Sequence, residues 1–420
     1  MSKIVIIGNG IAGTTAARLI RKKSDHDIIL ISSESKYFFS RTALMYVYMG
    51  HMKFEHTQPY ENWFWRKNKI QLLQAHVAKI EPAKNHIKLQ SGEVINYDKL
   101  VLALGSKSRK MPIDGVQLAG VQSLYNKQDL LLMEDNTKDV KQAVVIGGGL
   151  IGVEMAEMLH SRGIHVTMVV REDSFWNIVL PKEESEMVTR HIIDRGIDLK
   201  LSHTVEEIKG ENHIEQLVLD DNSTINCQFL GITIGVEANI SLLQGSEIDT
   251  NRGILVNEYL QTSIDGIYAI GDSAELRNPP AGRRAIEPVW YTGRMMGETV
   301  ANNICNKPEK YDPGIWFNSA KFFDLEYQTY GFVPSTPQEG YDSFYWEDKK
   351  SERAIRLVYN TNNTLVGVNC LGLRLNHQVC ERWINEGKTL DFALANLHLI
   401  NFDPELYKKF EKEIFSSNSI

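Results

Sequence analysis

Two stretches of the chain repeat one pattern of apolar and polar positions. Ile4-Val5-Ile6-Ile7 is an unbroken apolar run. A glycine-rich turn follows, then a helix-like run to Lys23 and a second apolar run, Ile28-Ile29-Leu30-Ile31. The same order returns with Ala143-Val144-Val145-Ile146, a glycine turn, a helix-like run to Arg162, and Val166-Thr167-Met168-Val169-Val170. Apolar runs without alternation suit strands buried on both faces of a parallel sheet. The pattern therefore predicts two strand–turn–helix–strand units, one from Lys3 to Glu34 and one over about 140–170. Shorter strands are predicted over 71–80, 86–89, 97–104, 204–208, 216–220 and 229–234. Helices are predicted over 60–69 and 181–195. In the latter, Glu186, Arg190 and Asp194 form the polar face, Met187, Ile192 and Ile193 the apolar one, and Gly196 the cap. The stretch 107–114 reads as a loop, with Gly115 a hinge.

The texture changes at Tyr311. Aromatic-rich alternating runs, 354–359 and 364–368, flank Asn360-Thr361-Asn362-Asn363, a hairpin signal. Helical runs are predicted over 377–386, 390–397 and 404–415, giving a C-terminal α+β module. With 420 residues, 43% hydrophobic and 24% charged, the chain has the composition of a globular protein with two or three domains. Its net charge of -7 and lack of a basic tract argue against binding nucleic acid. No apolar run is long enough to span a bilayer, and the N-terminal one is too short for a signal peptide. The cysteines, Cys227, Cys305, Cys370 and Cys380, lie far apart, without metal-site spacing. No metal is expected, and a reducing cytoplasm fits.

Both repeated turns read Gly-x-Gly-x-x-Gly: Gly8, Gly10 and Gly13 in one, Gly147, Gly149 and Gly152 in the other. The first glycine allows the tight turn, the second lets backbone approach a pyrophosphate, and the third lets helix pack on strand. Ile11 and Ala12, and Leu150 and Ile151, open the two helices, whose free N–H groups favour an anion. After the second strand of the first unit come Ser33 and Glu34, the latter a candidate for ribose hydroxyls. In the second unit the strand ends at Val170, where an NAD site would want an acid, and Arg171 follows directly, with Glu172 and Asp173 beside it to blunt its charge. A cation there favours a 2′-phosphate, so the expectation leans to NADPH over NADH. Glu154 lies in the first turn of the second helix, where the helix dipole alone would favour a carboxylate. Arg41, beside Phe39, reads either as a cofactor contact or as a surface arginine stacked on the ring. Ala103-Leu104-Gly105 ends an apolar strand in a small-residue turn. Tyr268-Ala269-Ile270-Gly271-Asp272 ends another in an acid, with a following helix expected to point at a phosphate. Val77, Gly235 and the segment Glu287-Pro288-Val289 complete the candidate contacts.

These stretches together resemble the two-dinucleotide-domain flavoproteins, the pyridine nucleotide–disulfide oxidoreductase superfamily. The resemblance implies an α/β fold of the glutathione-reductase type, with two Rossmann-like domains, one inserted in the other. It places an FAD-binding domain at 1–115 and 250–310, an NAD(P)H-binding domain at 116–249, and a C-terminal α+β interface domain at 311–420. Gly8, Gly10, Gly13, Glu34, Gly271 and Asp272 carry over as FAD contacts, and Gly147, Gly149, Gly152 and Arg171 as NAD(P)H contacts. Ser40-Arg41-Thr42-Ala43-Leu44 is similar to the Arg-Pro-x-Leu-Ser-Lys segment of the ferredoxin, rubredoxin and nitrite reductase branch, and Glu287-Pro288-Val289-Trp290 to its flavin-side segment. Tyr46 stands where that branch has a lysine, which there pairs with the glutamate matching Glu154, a catalytic candidate.

The resemblance makes the missing cysteines informative. Disulfide reductases need a redox pair beside the flavin, and the oxidase and peroxidase branch needs one cysteine within 39–48. Neither is present. Electrons are therefore expected to leave the flavin directly, for a small carrier protein of ferredoxin or rubredoxin type. Alternatives are an NAD(P)H oxidase or quinone reductase with a small-molecule acceptor, and a flavin-carrying interaction protein like apoptosis-inducing factor. A homodimer through the C-terminal module is a family expectation.

Overall fold

The computed structural model describes residues 1–402, 410, 411, 413 and 414. It divides into two compact bodies: residues 1–111, 122–138 and 235–313 form the first, and 112–121, 139–234 and 314–420 the second.

The first body is built on a five-stranded parallel sheet. Its order is Ile267–Ala269, Lys99–Leu102, Lys3–Ile7, Asp27–Ser32 and Ile70–Gln74. Ile4, Val5, Ile6, Leu100, Val101 and Leu102 are wholly buried, as the unbroken apolar runs require. Helix Ile11–Lys23 covers the sheet and packs on helix Trp290–Ile304. That contact is close because Gly297 leaves no room for a Cβ against the carbonyl of Ala12. A three-stranded antiparallel sheet, Val77–Glu81, His86–Leu89 and Val94–Asn96, is attached to this core. The helix expected over 60–69 forms as Asn62–Lys67, with Trp65 buried.

The second body repeats the plan. Its parallel sheet contains, in order, Asp198–Leu201, His165–Val170, Gln142–Ile146 and Phe229–Ile232. It too carries a three-stranded antiparallel sheet, Val205–Lys209, Gln216–Leu219 and Thr224–Asn226. Helix Leu150–Ser161 follows the glycine turn, and helix Lys182–Asp194 precedes the edge strand. On the latter, Ile193 is half exposed, while Glu184 is 1% exposed. The helix thus buries a carboxylate on its apolar side, with Met187, Val188 and Ile192.

The C-terminal sheet belongs to this body. Its five antiparallel strands run in the order Phe317–Phe322, Leu325–Gly331, Leu365–Leu371, Ala354–Asn360 and Tyr341–Glu347. The hairpin at 360–363 forms as predicted. One face packs on helices His377–Asn385 and Leu390–Ala395 through Cys380, Trp383 and Ala393. The helix expected over 404–415 lies largely outside the described residues. The other face meets helix Lys182–Asp194. There Arg356 donates from Nε to Glu184 Oε1 (2.8 Å) and from Nη2 to Glu184 Oε2 (2.9 Å). Arg356 also bonds Glu183 and Ser343 and lies 4.6 Å from the ring centre of Tyr345.

Two turns differ from expectation. Residues 106–108 form a strand paired with Val236–Ala238 rather than a loop. Gly115, at φ +93°, has its Cα packed against Ile208, so the positive φ serves a tight packed turn rather than a free hinge.

Candidate nucleotide-binding sites

Both glycine turns are packed at their ends and open in the middle. At Gly8 (φ +110°) a Cβ would run into the Ala103 carbonyl, and at Gly13 into the Gly8 carbonyl. Gly10 has nothing within 4 Å of where its Cβ would point. The second turn repeats this geometry. Gly147 (φ +118°) abuts the Thr233 carbonyl, Gly152 abuts the Gly147 carbonyl, and Gly149 faces open space. Gly10 and Gly149 are the N-caps of their helices, and neither helix has a side-chain cap. Each turn therefore offers unpaired N–H groups to a space that a side chain would fill, the fit a pyrophosphate needs.

Thr233 was not singled out in the sequence, yet it is the counterpart of Ala103. Both end the strand beside the glycine turn, and Thr233 Oγ1 donates to the Ile146 carbonyl (2.7 Å). The signal was present: Leu102-Ala103-Leu104-Gly105 and Ile232-Thr233-Ile234-Gly235 share one pattern. Gly105 and Gly235 both have positive φ. Gly235 lies in the first body, where its carbonyl accepts from the Arg109 backbone N–H (3.1 Å).

Around the first turn the fold gathers most of the predicted residues. A Cβ at Gly271 would lie 3.0 Å from that of Ala12, which fixes Gly271-Asp272 beside the motif helix. Helix Trp290–Ile304 presents Gly293 to Ile11 and Ala12, so Glu287, Pro288 and Val289 enter the same end of that helix. Asp272 accepts from Ser106 Oγ (3.0 Å) and Tyr125 Oη (3.5 Å). Burial raises its carboxyl above the usual range, and Ser106 and Arg41 oppose the rise. Asp272 also pushes the Tyr125 phenol upward, after burial, to about 12. Asp272 is not followed by an α-helix. A single 3-10 turn, Gly271–Ser273, leads into strand Ala274–Leu276, so the helix N-terminus beside Asp272 is that of Ile11–Lys23.

Glu34 and Arg41 are joined. Arg41 Nη1 and Nη2 donate to Glu34 Oε1 (3.0 Å) and Oε2 (2.6 Å). The Lys127 N–H donates to the same Oε1 (2.9 Å). The guanidinium lies 4.6 Å from the ring centre of Tyr125 and 5.5 Å from that of Phe39. Arg41 thus lies beside the Phe39 ring, with its guanidinium bonded to Glu34. Tyr125 and Lys127 were not identified from the sequence, because no local motif marks them. Glu287 is buried and held by Arg283 at both carboxylate oxygens (2.8 and 2.6 Å). Ser33 is exposed, and Val77 is buried in the antiparallel sheet opposite Leu89.

In the second body, Arg171 is exposed, and its Nη2 donates to Glu172 Oε1 (2.7 Å). Glu154 lies on helix Leu150–Ser161, one turn before Glu157. Burial pushes its carboxyl up to about 7, Glu157 adds to this, and Lys321 opposes it. Lys321 Nζ lies 2.8 Å from Glu157 Oε1. At an exposed turn His203 and Asp220 form a 2.9 Å pair beside Asp221.

The four cysteines are unpaired. Burial pushes the Cys227 and Cys380 thiols up to about 12 and raises Cys370 as well. Cys305 caps the C-terminal end of helix Trp290–Ile304, the end opposite Gly293.

The model of the pyridine nucleotide-disulphide oxidoreductase family matches residues 2–297. The chain belongs to that family. It is 30% identical over 391 residues to the NAD(P)H coenzyme A polysulfide/persulfide reductase of Pyrococcus horikoshii, covering 88% of this chain and 87% of the relative. It is 28% identical to rubredoxin-NAD(+) reductase of Pseudomonas putida, covering 74% and 83%. Among solved structures, a persulfide reductase from A. fulgidus matches with TM-score 0.84 at 23% identity, covering 94% and 78%. A ferredoxin reductase from Rhodopseudomonas palustris matches with TM-score 0.81 at 24% identity, covering 88% and 91%. Like its family, the protein is an oxidoreductase of the FAD and NAD(P)H class. Among the described residues no helix is long and apolar enough to cross a membrane.

Proposed function

We propose that this pyridine nucleotide-disulphide oxidoreductase passes electrons from NAD(P)H through FAD to a small electron-carrier protein of ferredoxin or rubredoxin type. The observation that carries the reading is the pair of open glycine cradles, set in a chain with no cysteine between Phe39 and Tyr48. In this reading Gly8, Gly10 and Gly13 hold the FAD pyrophosphate, Glu34 the adenosine ribose, and Asp272 a flavin-side hydroxyl. Arg41 holds the Glu34 carboxylate in place through two hydrogen bonds. The Gly147–Gly152 turn holds the nicotinamide nucleotide. The flavin, when bound, supplies the step from two-electron to one-electron transfer. Several relatives support a carrier as acceptor: two are named rubredoxin-NAD(+) reductases and one a ferredoxin–NAD(+) reductase subunit.

The persulfide-reductase relatives suggest a second acceptor class, low-molecular-weight sulfur. An NADH oxidase of Methanocaldococcus jannaschii, 31% identical over 339 residues, suggests oxygen. Buried thiols raised toward 12 are poor nucleophiles, which favours a route that does not use sulfur. For the donor, Arg171 favours NADPH, with Glu172 competing for its guanidinium.

The test is anaerobic reduction of the flavin-loaded protein by NADPH and by NADH, followed by reoxidation with a ferredoxin, a rubredoxin, a quinone or coenzyme A persulfide. Fastest reoxidation by a carrier protein, after preferential reduction by NADPH, is the expected result. Fastest reoxidation by the quinone or persulfide overturns the acceptor, and NADH at parity overturns the role of Arg171.

A further inference from the structure

Strands Lys3–Ile7, Lys99–Leu102 and Ile267–Ala269 run parallel, with Ile7 level with Leu102 and Leu102 level with Ala269. Their carboxyl ends therefore lie together, and it is outside such ends that parallel sheets bind ligands. The first strand leads into the Gly8–Gly13 turn, the second into Gly105 and Ser106, and the third into Gly271 and Asp272. Tyr125 reaches this edge from elsewhere in the chain. A Cβ at Gly105 would lie 3.4 Å from its Oη. The Ser106 N–H donates to that oxygen (3.0 Å), while Ser106 Oγ donates to Asp272 Oδ2 (3.0 Å). The Tyr125 O–H has the same Oδ2 as its acceptor, at 3.5 Å. The rest of the residue is fixed. Its N–H and that of Asn126 donate to Asp129 Oδ2 (2.8 and 3.1 Å). Asn126 in turn caps helix Lys127–Asn136 by accepting from the Asp129 N–H (2.8 Å). Such a reciprocal cap holds the chain where it enters the helix. The Tyr125 carbonyl accepts from Arg41 Nη1 (2.7 Å), and the guanidinium covers its ring. Backbone and ring are thus engaged, and the phenol is left to act on Asp272. Burial, with Asp272 adding to it, raises the phenol to about 12, so it keeps a proton to donate.

We propose that Tyr125 is a positioning residue for the flavin end of the first nucleotide site. Its O–H, together with Ser106, holds one oxygen of Asp272 and so turns the other towards a hydroxyl of the ribityl chain. The inference rests on the reading that the Gly8–Gly13 turn holds FAD. Both side-chain donors fall on Oδ2. An acid already held at one oxygen loses little freedom when a ligand hydroxyl donates to it, so the bond costs less ordering. ADP shares the adenosine and pyrophosphate of FAD but has no ribityl chain. The contribution of the phenol should therefore appear with FAD and vanish with ADP.

The experiment measures binding of FAD and of ADP to the full chain freed of flavin, by calorimetry. Tyr125→Phe removes one oxygen and keeps the ring beneath Arg41. It should weaken FAD by about tenfold, the low end for a hydrogen bond to a charged group, and leave ADP unchanged. Asp272→Asn should weaken FAD at least as much, again without effect on ADP. The double variant should bind FAD no more weakly than Asp272→Asn alone, since the phenol acts only through the acid. Equal weakening of FAD and ADP by Tyr125→Phe would mean that the phenol supports the fold of the site as a whole, and overturns the proposal. So does FAD binding that is unchanged in Tyr125→Phe, or a double variant that adds the two losses. FAD binding unchanged in Asp272→Asn removes the acid from the ribityl chain, and the inference with it. Failure of the wild-type chain to bind either ligand overturns the FAD reading itself.

Discussion

Two glycines of one turn serve opposite purposes. Gly10 faces open space, whereas a Cβ on Gly13 would collide with the Gly8 carbonyl. Gly10→Val should therefore leave the melting transition of the FAD-free protein nearly unchanged while abolishing flavin retention. Gly13→Ala should destabilise the fold itself by about 1–3 kcal/mol, as overpacking does. Denaturant melts with and without FAD separate the two effects. Glu154 gives a pH-dependent prediction. Its folded carboxyl titrates near 7, against 4.5 for the ordinary group. Below pH 4.5 folded and unfolded chains are both protonated there, so it contributes nothing. Between 4.5 and 7 the unfolded chain loses the proton and the folded one keeps it, so stability falls as pH rises. Above 7 the cost is constant, on the order of 3 kcal/mol. Glu154→Gln should flatten this slope and stabilise the protein at pH 8, and urea melts at pH 5 and pH 8 measure it. An unchanged slope would show that Glu154 is hydrated in the folded chain.

At the scale of elements, the repeated units were legible because their signal is local. An unbroken apolar run, three spaced glycines and a helix specify strand, turn and helix without reference to anything distant. Asp272, Gly271 and Glu287 were legible for the same reason, each at the end of a strand or the start of a helix. Tyr125 and Lys127 were not, since their roles arise from partners far along the chain, whereas Thr233 carried a signal in the pattern it shares with Ala103. Tyr125 reaches Asp272 and Arg41 across 147 and 84 positions. The buried Glu184 was not legible either, since its partner Arg356 lies 172 positions along the chain. Its pairing with Arg356 joins helix Lys182–Asp194 to the C-terminal sheet. Removing one partner of such a pair leaves a buried charge and costs about 3–5 kcal/mol, whereas replacing both by apolar groups is near neutral. Arg356→Met should therefore destabilise strongly, and the double change Glu184→Leu/Arg356→Met should recover most of the loss in denaturant melts. A double mutant as unstable as Arg356→Met alone would mean that the pair is not what joins helix and sheet.

At the scale of the whole molecule, the two bodies carry the same plan, each with a parallel sheet, a glycine turn open at its centre and an attached antiparallel sheet. In the proposed reading each body takes one nucleotide, and a reactive sulfur has no place beside them. Cys370 and Cys380 belong to the C-terminal sheet and its helix, Cys227 lies in the second body, and Cys305 sits at the far end of its helix. The three buried thiols are raised well above neutrality, so they hold their protons in any ordinary buffer. Reduction of the flavin should expose no new thiolate. Protein first reduced by NADPH and then treated with iodoacetamide is therefore expected to keep its full rate of electron transfer to a carrier protein, with any alkylation confined to the half-buried Cys305. Mass spectrometry of the alkylated protein locates the label, and the carrier-reduction assay reads the consequence. Inactivation that tracks alkylation of one cysteine would place sulfur on the electron path and return the chain to the thiol-dependent members of its family.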